Sequence, residues 1–361
     1  GQIAIAHNGT LTNAKIVREL LEETGAVFQS TIDSEVILSL TSRKASKGLE
    51  EAIVDAINMI QGAYAIVMTV EGKLVGIRDP HGIRPLCLGE LKEGEYVLSS
   101  ESCGLDAVGA KFLRDIAPGE MVIIDETGLK SIKYAERSYN SPCSFEYIYF
   151  ARPDSEIDGV GVYHSRIQAG RYLAQDSPVE ADLVVGVPES GNAAALGYSL
   201  ESGIPYGTAF VKNGYVGRTF IKPGQSSRES SVQIKLNVLK EAVKGKRVIM
   251  IDDSIVRGTT SDRIVKMLRD AGATEVHVRI SSPPFLWPCY FGTDIPEREQ
   301  LIAYNRSINE ICEVIGADSL GYLGEERLSQ MVQGLSICKG CFTGEYPMKP
   351  PTRDIRGNFE R

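Results

Sequence analysis

Residues 246–261 read KRVIMIDDSIVRGTTS, and this stretch decides the fold of the chain. The apolar residues before the two acids predict a short buried strand of a parallel sheet. Residues 261–270, with apolar side chains on one face, predict the helix that follows. The loop between them therefore opens a helix at the carboxyl end of a strand, where open α/β sheets bind ligands.

The small residues of this loop suit a sugar phosphate. Backbone N–H groups of Gly258–Ser261, with the hydroxyls of Thr259 and Thr260, can surround a phosphate monoester. Asp252 and Asp253 can accept hydrogen bonds from ribose hydroxyls or approach Mg²⁺. The run contains neither the Walker P-loop motif nor G-x-G-x-x-G, which argues against a nucleoside-triphosphate site and a dinucleotide site. Two acids after a strand are, taken alone, more often a solvated strand end.

Two upstream segments could complete such a site. Leu183–Val187 predicts a second buried strand, and Pro188–Asn192 is a tight loop that feeds a helix from Ala193. This loop could hold a pyrophosphate, although an ordinary βα turn is the simpler interpretation when it is considered alone. Residues 212–228 form a long glycine-rich, cationic loop. It could close over a polyanion or be a solvated hairpin; its cations are Lys212, Arg218, Lys222 and Arg228.

Composition limits the class of protein. The 361 residues suggest about two domains, and 43% hydrophobic residues suffice for packed cores. The net charge of −8 without a basic tract argues against nucleic-acid binding. No apolar run is long enough for a membrane span, and the seven cysteines fit reduced thiols or metal ligands. We therefore expect a cytoplasmic protein that is not bound to a membrane.

Residues 1–140 show a mixed α+β pattern, with a boundary near residues 138–144. The predicted strands are Ile3–Ala6, Ala63–Val70, Leu74–Arg78, Tyr96–Ser99 and Met121–Asp125, and the predicted helices cover 13–24, 34–44 and 49–60. In the first helix, Thr12 or Asn13 is the expected cap, and Ile16, Val17, Leu20 and Leu21 form the expected apolar stripe. Beyond residue 152 the pattern becomes βαβ, with late helices around 296–315 and 325–333.

The informative piece of the first part is residues 3–11, IAIAHNGTL, a strand that ends in a polar turn. The side-chain N–H of Asn8 and the backbone N–H of Gly9 can form an oxyanion hole for a tetrahedral intermediate. Taken alone, Asn-Gly after a strand is usually only a turn. Here it is followed by STIDSE at residues 30–35 and GAYA at residues 62–65.

These motifs resemble a known family. The thirteen-residue run 248–260 resembles the 5-phosphoribosyl-1-pyrophosphate (PRPP) motif of type I phosphoribosyltransferases, and the first part is similar to glutamine amidotransferases of the N-terminal-nucleophile (Ntn) type. Together they resemble the glutamine PRPP amidotransferases over nearly the whole chain. The resemblance implies an α+β Ntn glutaminase domain, partial here, over 1–140, an α/β type I phosphoribosyltransferase domain with a central parallel sheet over 141–341, and a tail over 342–361.

The resemblance also implies residue roles. Asn8 and Gly9 carry the oxyanion role, and Asp33 holds the α-amino group of glutamine unless it only caps the next helix. The implied PRPP-binding residues are Lys212, Arg218, Asp252, Asp253, Ser254, Arg257, Gly258, Thr259, Thr260 and Ser261. The implied Mg²⁺ ligands are Ser190, Asp252 and Asp253.

The chain departs from the family at its start. The family uses an amino-terminal cysteine whose own amine is the general base, whereas Gly1 lies almost at the oxyanion turn. Cys87 and Cys103 lie in strand and helix-start patterns and cannot supply a terminal amine, so no nucleophile is assigned. We expect that the sequence lacks the first part of the domain and that residues 1–361 alone do not hydrolyse glutamine.

Four cysteines form a second constellation: Cys143, Cys289, Cys338 and Cys341. Four thiolates fit Zn²⁺ or a [4Fe–4S] cluster, and the spacing of one C-x-x-C and two distant cysteines leaves the metal open. These positions are similar to the ligands of the family branch that carries a [4Fe–4S] cluster. The resemblance therefore favours iron–sulfur.

The activity that the resemblance implies is synthesis of 5-phosphoribosylamine, pyrophosphate and glutamate from PRPP and glutamine, or from PRPP and ammonia, at the start of purine synthesis. It also implies purine nucleotide feedback inhibitors and a homo-oligomer, a dimer or a tetramer. Two alternatives remain: a base-dependent phosphoribosyltransferase and a non-catalytic PRPP-sensing regulator. The first leaves residues 1–140 without a purpose, and the second normally carries a DNA-binding domain that this acidic chain lacks.

Overall fold

The computed structural model describes residues 3–44, 48–213, 236–293 and 297–351. The first part contains β1 (Ile3–Leu11), α1 (Ala14–Glu23), α2 (Ser34–Lys44), α3 (Leu49–Met59), β2 (Gly62–Val70), β3 (Lys73–Arg78), β4 (Cys87–Lys92), β5 (Glu95–Ser99), α4 (Ser102–Ala107), β6 (Lys111–Asp115), β7 (Glu120–Asp125) and β8 (Gly128–Lys133). A π-helical turn follows at Glu146–Phe150.

The second part contains β9 (Glu156–Ile157), β10 (Val160–Gly161), α5 (Val162–Asp176), β11 (Leu183–Gly186), α6 (Ser190–Ser202), β12 (Phe210–Lys212), β13 (Leu236–Val238), α7 (Lys240–Val243), β14 (Arg247–Asp252), α8 (Thr259–Asp270), β15 (Glu275–Ile280), a 3₁₀ turn (Arg298–Gln300), α9 (Ile308–Val314), β16 (Ser319–Tyr322), α10 (Glu325–Met331) and α11 (Gly340–Thr343). No helix in these described ranges is long and apolar enough to cross a membrane.

The first part is built on an antiparallel sheet with strand order β1-β2-β3-β7-β8. Alternation along β2 gives this sheet two buried faces, because successive strand residues point to opposite sides. Tyr64, Ile66 and Met68 pack with the side chains of α1, α2 and α3. Ala65 packs instead with Leu88 of β4, in the smaller sheet of order β5-β4-β6.

The second part is built on a parallel sheet with strand order β11-β14-β15-β16. Strand β14 is buried on both faces. Ile249 and Ile251 belong to the core that includes α5 and α6, whereas Val248 and Met250 pack in the core that includes α8. The carboxyl end of this central strand lies next to Ile280 of β15, where Asp252 is its register partner. The acid pair is therefore at the edge of the sheet that binds ligands in open α/β folds.

The helix predicted over 296–315 is wrong in extent. Helix α9 begins only at Ile308, because the Ser307 side chain accepts from the Glu310 N–H while the Glu310 carboxylate accepts from the Ser307 N–H. Ahead of that capping box, the Ile302 N–H donates to the Val256 carbonyl at 2.9 Å rather than to a helical partner. Tertiary contacts therefore override the local helix propensity of this segment.

Helix α1 also differs from its prediction. Asn13 precedes the helix but makes no side-chain cap hydrogen bond. Its amide instead donates to the Met59 carbonyl at 2.9 Å and accepts from the Gln61 N–H at 2.8 Å, which joins the start of α1 to the end of α3. Val17 and Leu21 of the predicted stripe are buried, whereas Ile16 and Leu20 are half exposed.

Candidate functional site

The acid pair forms a compact polar group with Ser190. Both carboxylates are at most 7% exposed. The Ser190 hydroxyl, at the start of α6, donates to Asp253 Oδ1 at 2.6 Å, and the Ser254 hydroxyl donates to Asp253 Oδ2 at 2.6 Å. The Asp253 N–H donates to Asp252 Oδ1 at 2.9 Å. The structure thus brings together the hydroxyl and the carboxylate that the sequence assigned to a cation.

The electrostatics of this group favour an added positive charge. Burial, and then the charge of Asp253, raise the pKa of Asp252 well above its usual range. Burial, and then the charges of Asp253 and Asp252, also raise the pKa of Tyr149. Two buried carboxylates side by side are stabilised by a cation or a proton. The group can therefore hold a divalent cation together with a polyanionic ligand.

The phosphate loop, defined here as Ser254–Ser261, leads into the first turn of α8. Gly258 has a φ of +86°, and a Cβ at this position would lie 2.5 Å from Ile302 Cδ1, so both conformation and space require glycine. Thr259 and Thr260 are exposed, whereas Ser261 is buried. The first N–H groups of a helix lack intrahelical partners, so this turn can bind an anion.

Of the cationic loop expected over residues 212–228, the structure describes residues 212 and 213. Arg218, Lys222 and Arg228 lie outside the described residues. Lys212 ends β12, and its ammonium lies 3.0 Å from Glu189 Oε1. Both side chains are more than half exposed, so this ion pair contributes little stability and Lys212 remains available to a ligand.

Asn8 and Gly9, which were expected to form a polar turn after the first strand, instead lie inside β1, because the strand stays paired with β2 as far as Leu11. Asn8 is exposed, and Gly9 pairs with Tyr64 of β2. Gly9 has a φ of +130°, and a Cβ there would lie 2.1 Å from the Ala63 carbonyl oxygen, which excludes any other residue. The Asn8 side chain is therefore held on a strand and accessible to solvent, so its amide N–H can donate a hydrogen bond to a ligand.

Asp33 is anchored beside β1. Its carboxylate accepts from the Leu11 N–H at 3.0 Å and lies 3.3 Å from His7 Nδ1. Burial raises its pKa, but His7, Leu11 and the Ser34 N–H together outweigh burial, so the pKa lies below its usual value. Asp33 therefore stays ionised immediately before α2, and an anionic carboxylate suits an ammonium group.

The sequence did not reveal a buried ion pair that joins the two parts. Arg84 and Glu146 are at most 4% exposed, and Arg84 Nη1 donates to Glu146 Oε1 at 2.7 Å. Arg84 Nε donates to the Phe291 carbonyl at 3.2 Å. A Cβ on Gly292 would lie 3.0 Å from the Cα of Gly9. Gly9 of β1 is thus in direct contact with the second part. The sequence held one indication of this ion pair: Arg84 and Glu146 are each the single charged residue of an apolar run, IRPLCL and FEYIYF.

The four cysteines expected to bind a metal converge from three distant segments. Cys143 and Cys338 form an isolated parallel bridge, in which the Cys338 N–H donates to the Pro142 carbonyl at 2.8 Å. The Trp287 N–H donates to the Cys341 carbonyl at 3.0 Å. Because Cys289 lies two residues after Trp287, this hydrogen bond brings its segment next to Cys341.

The thiols influence one another electrostatically. Burial raises the pKa of Cys143 to about 12, and burial followed by the charges of Cys289, Cys143 and Cys338 raises that of Cys341. Across the described ranges, however, no three His, Cys, Asp or Glu side chains are placed to hold a metal ion. The fold thus brings the segments of the four cysteines together, but their side chains do not form a single-ion site in the described residues.

Comparison with known proteins gives consistent results. A family model described as a glutamine amidotransferase domain matches residues 1–107. The amidophosphoribosyltransferase of Archaeoglobus fulgidus is 49% identical over 359 residues, covering 97% of this chain and 78% of that protein. The Bacillus subtilis enzyme is 48% identical over 353 residues, covering 96% and 74%. The solved B. subtilis glutamine PRPP amidotransferase complexed with ADP and GMP matches with a TM-score of 0.91, 47% identity, and coverage of 98% of this chain and 79% of that one.

Proposed function

This chain belongs to the amidophosphoribosyltransferase family, and from that premise we propose that it transfers nitrogen from glutamine or ammonia to PRPP. The products are 5-phosphoribosylamine and pyrophosphate, with glutamate when glutamine is the donor, at the first step of purine biosynthesis. The observation that carries the proposal is the 49% identity to a named enzyme over 97% of the chain. The grouping of Ser190 with Asp253 at the strand end supports it independently.

The residue roles proposed in the transferase half are supported by the geometry of the acid pair and the phosphate loop. The loop from Gly258 to Ser261 binds the 5-phosphate through helix N–H groups and hydroxyls. Asp252 and Asp253 face the ribose and, with Ser190, supply oxygen ligands of the kind that Mg²⁺ prefers. When bound, Mg²⁺ would neutralise charge on the leaving pyrophosphate. The remaining PRPP contacts that we propose are Lys212, Arg218, Ser254 and Arg257.

The bond changes are simple. The lone pair of ammonia forms the new bond to C1 of PRPP as the bond from C1 to the pyrophosphate oxygen breaks, and the attacking nitrogen then loses a proton. The transition state has oxocarbenium character, so the protein contributes positioning and charge compensation. Both carboxylates are fixed before the ligand arrives, because Asp253 accepts from the Ser190 and Ser254 hydroxyls and Asp252 accepts from the Asp253 N–H.

The first part serves as the glutaminase half of this proposal. Asn8 and Gly9 stabilise the oxyanion, and the ionised Asp33 holds the α-amino group of glutamine. No residue of this sequence is assigned as the nucleophile. We propose that ammonia passes internally between the two halves rather than equilibrating with water as ammonium, which is supported by the close approach of Gly9 to Gly292.

Ammonia-dependent release of pyrophosphate from PRPP tests this function. We expect release that requires Mg²⁺, with phosphoribosylamine as the coproduct. Release that depends on a purine base, and not on ammonia, would indicate a base-dependent phosphoribosyltransferase. PRPP binding without turnover under any of these conditions would favour a sensor.

The four cysteines are proposed as ligands of a [4Fe–4S] cluster. A single zinc ion needs four sulfurs about 2.3 Å from one point, whereas an iron–sulfur cube holds its thiolates further apart. The proposal is supported by the mutual effect of the thiols on their pKa values, since the charges of Cys289, Cys143 and Cys338 all raise the pKa of Cys341. The cluster would tie Cys143, Cys289 and the Cys338–Cys341 segment together.

Metal analysis of anaerobically purified protein is the corresponding prediction. We expect iron and sulfide near four of each per chain, the stoichiometry of one cube. Cys341→Ser should lose the cluster and lower the melting temperature, because the ligands join distant segments. Cys312→Ser is the matched control, since Cys312 lies in α9 away from the other four and donates only to the Ala317 carbonyl. Stoichiometric zinc without sulfide contradicts the cluster.

Three further properties are proposed from the family. Purine nucleotides act as feedback inhibitors, which is supported by the solved B. subtilis relative complexed with ADP and GMP. The protein is a homo-oligomer, a dimer or a tetramer, and it works in the cytoplasm, which is supported by its seven free cysteines. Residues 1–140, 141–341 and 342–361 are the proposed glutaminase domain, transferase domain and tail.

A further inference from the structure

We propose that Arg298 is a positioning residue for the phosphate loop. Arg298 lies in the 3₁₀ turn Arg298–Gln300, downstream of Cys289 and upstream of α9. The proposed function identifies the ligand of the loop as the 5-phosphate of PRPP, and the inference rests on it to that extent. The contacts of Arg298 itself are independent of the ligand.

The guanidinium of Arg298 contacts the rings of Trp287 and Tyr304, and these three side chains are called the clamp here. Its central carbon lies 3.4 Å from the centre of the Trp287 ring and 4.5 Å from the centre of the Tyr304 ring. Its Nε donates to the Leu286 carbonyl at 2.9 Å. Contacts with two aromatic rings and a hydrogen bond from Nε together restrict the orientation of the side chain. The turn that carries Arg298 is therefore held in place.

That turn supports the phosphate loop at three points. Arg257 Nη2 donates to Gln300 Oε1 at 3.0 Å, and the Ile302 N–H donates to the Val256 carbonyl at 2.9 Å. The Ile302 side chain fills the space beside Gly258, where a Cβ would lie 2.5 Å away. Because Gly258 sits immediately before the first turn of α8, a shift of this support moves the N–H groups that face the phosphate.

The clamp is anchored on its other side as well. The Trp287 N–H donates to the Cys341 carbonyl at 3.0 Å. A continuous set of contacts thus runs from Cys341 through Trp287 and Arg298 to Gln300 and the loop. Arg298 does not touch the proposed ligand, so its effect is on the geometry of binding rather than on the chemical step.

The test uses Arg298→Met, which keeps the length of the side chain and removes its charge and its donors. Ribose 5-phosphate is the probe, because it carries the 5-phosphate without the pyrophosphate. Trp287 is the single tryptophan of the chain, so its emission reports the clamp directly. In the parent protein we expect ribose 5-phosphate to change this emission. In Arg298→Met we expect no such change, a Kd weaker by about tenfold, a PRPP KM raised about tenfold and kcat within about threefold.

Two variants serve as references. Arg298→Lys keeps a cation between the rings and loses the Nε donor to Leu286, so binding should recover in part. Arg269→Met is the matched control, because Arg269 also donates to a backbone carbonyl, that of Gly316, at the far end of α8 from the loop. Its ribose 5-phosphate Kd should equal that of the parent.

Unchanged ribose 5-phosphate binding in Arg298→Met, or a lower melting temperature with unchanged binding, overturns the inference. If Arg298→Met does not fold, Gln300→Ala removes a loop contact and leaves the clamp, and parent-like binding by that variant overturns it instead. A parent protein that binds ribose 5-phosphate but releases no pyrophosphate with ammonia would defeat the proposed function alone.

Discussion

Asp253→Asn is expected to reduce ammonia-dependent PRPP turnover by about 10²-fold, the loss typical of one preorganised electrostatic group. The substitution keeps the shape of the side chain and removes its charge. Asp253 accepts from two serine hydroxyls at 2.6 Å, and the amide nitrogen of asparagine cannot accept from either. Asp252→Asn should cause a loss of similar size, because the same pair then carries one charge instead of two.

The melting temperature separates this effect from unfolding, since both variants should melt close to the parent protein. Asp262→Asn is the matched control: Asp262 is an exposed acid in the first turn of α8, next to the loop, and it has no role in the proposed site. Turnover of Asp262→Asn should match the parent. Parent-like turnover by both Asp252→Asn and Asp253→Asn would refute the assignment of the acid pair.

Asn8→Ala is expected to reduce glutamine-dependent turnover by about 10²–10³-fold, the range for losing one oxyanion donor. The assay requires a chain that carries the terminal cysteine of the family together with residues 1–361. Ammonia-dependent turnover by the same variant should be unchanged, because Asn8 lies in the glutaminase half. Comparing the two activities therefore separates an effect on glutamine hydrolysis from an effect on the transfer of ammonia to PRPP.

Thr10→Ala is the control for Asn8→Ala. Thr10 follows two residues later on β1, so its side chain lies on the same face of the strand as that of Asn8. It should reduce neither reaction appreciably. Equal losses of the glutamine and ammonia reactions in Asn8→Ala would indicate a structural role for Asn8 and contradict the oxyanion assignment.

Local patterns made the centre of the transferase half predictable. The strand, the two acids, the small residues and the helix of residues 246–270 are consecutive, so each supports the interpretation of its neighbours. The family and the enzymatic function inferred from these motifs are confirmed by relatives that match nearly the whole chain. The roles of individual site residues stay predictions.

Features that depend on distant contacts could not be predicted in this way. The helix-forming composition of residues 297–306 suggested a helix, but the contact of Ile302 with Val256 holds this segment in another conformation. Likewise, nothing near Arg84 in the sequence indicates that its partner is Glu146 or that Gly292 approaches Gly9. Such pairings are set by the packing of the two parts.

The backbone bridge between Cys143 and Cys338 has a consequence for biosynthesis. The bridge joins segments separated by about 200 residues, which a ribosome adds in about 10–40 s at roughly 5–20 residues per second. During that interval the partner of Cys143 does not yet exist, and the apolar residues around it stay exposed. The packing around Cys143 is therefore completed only after Cys338 has been synthesised, and not when the segment of Cys143 itself leaves the ribosome.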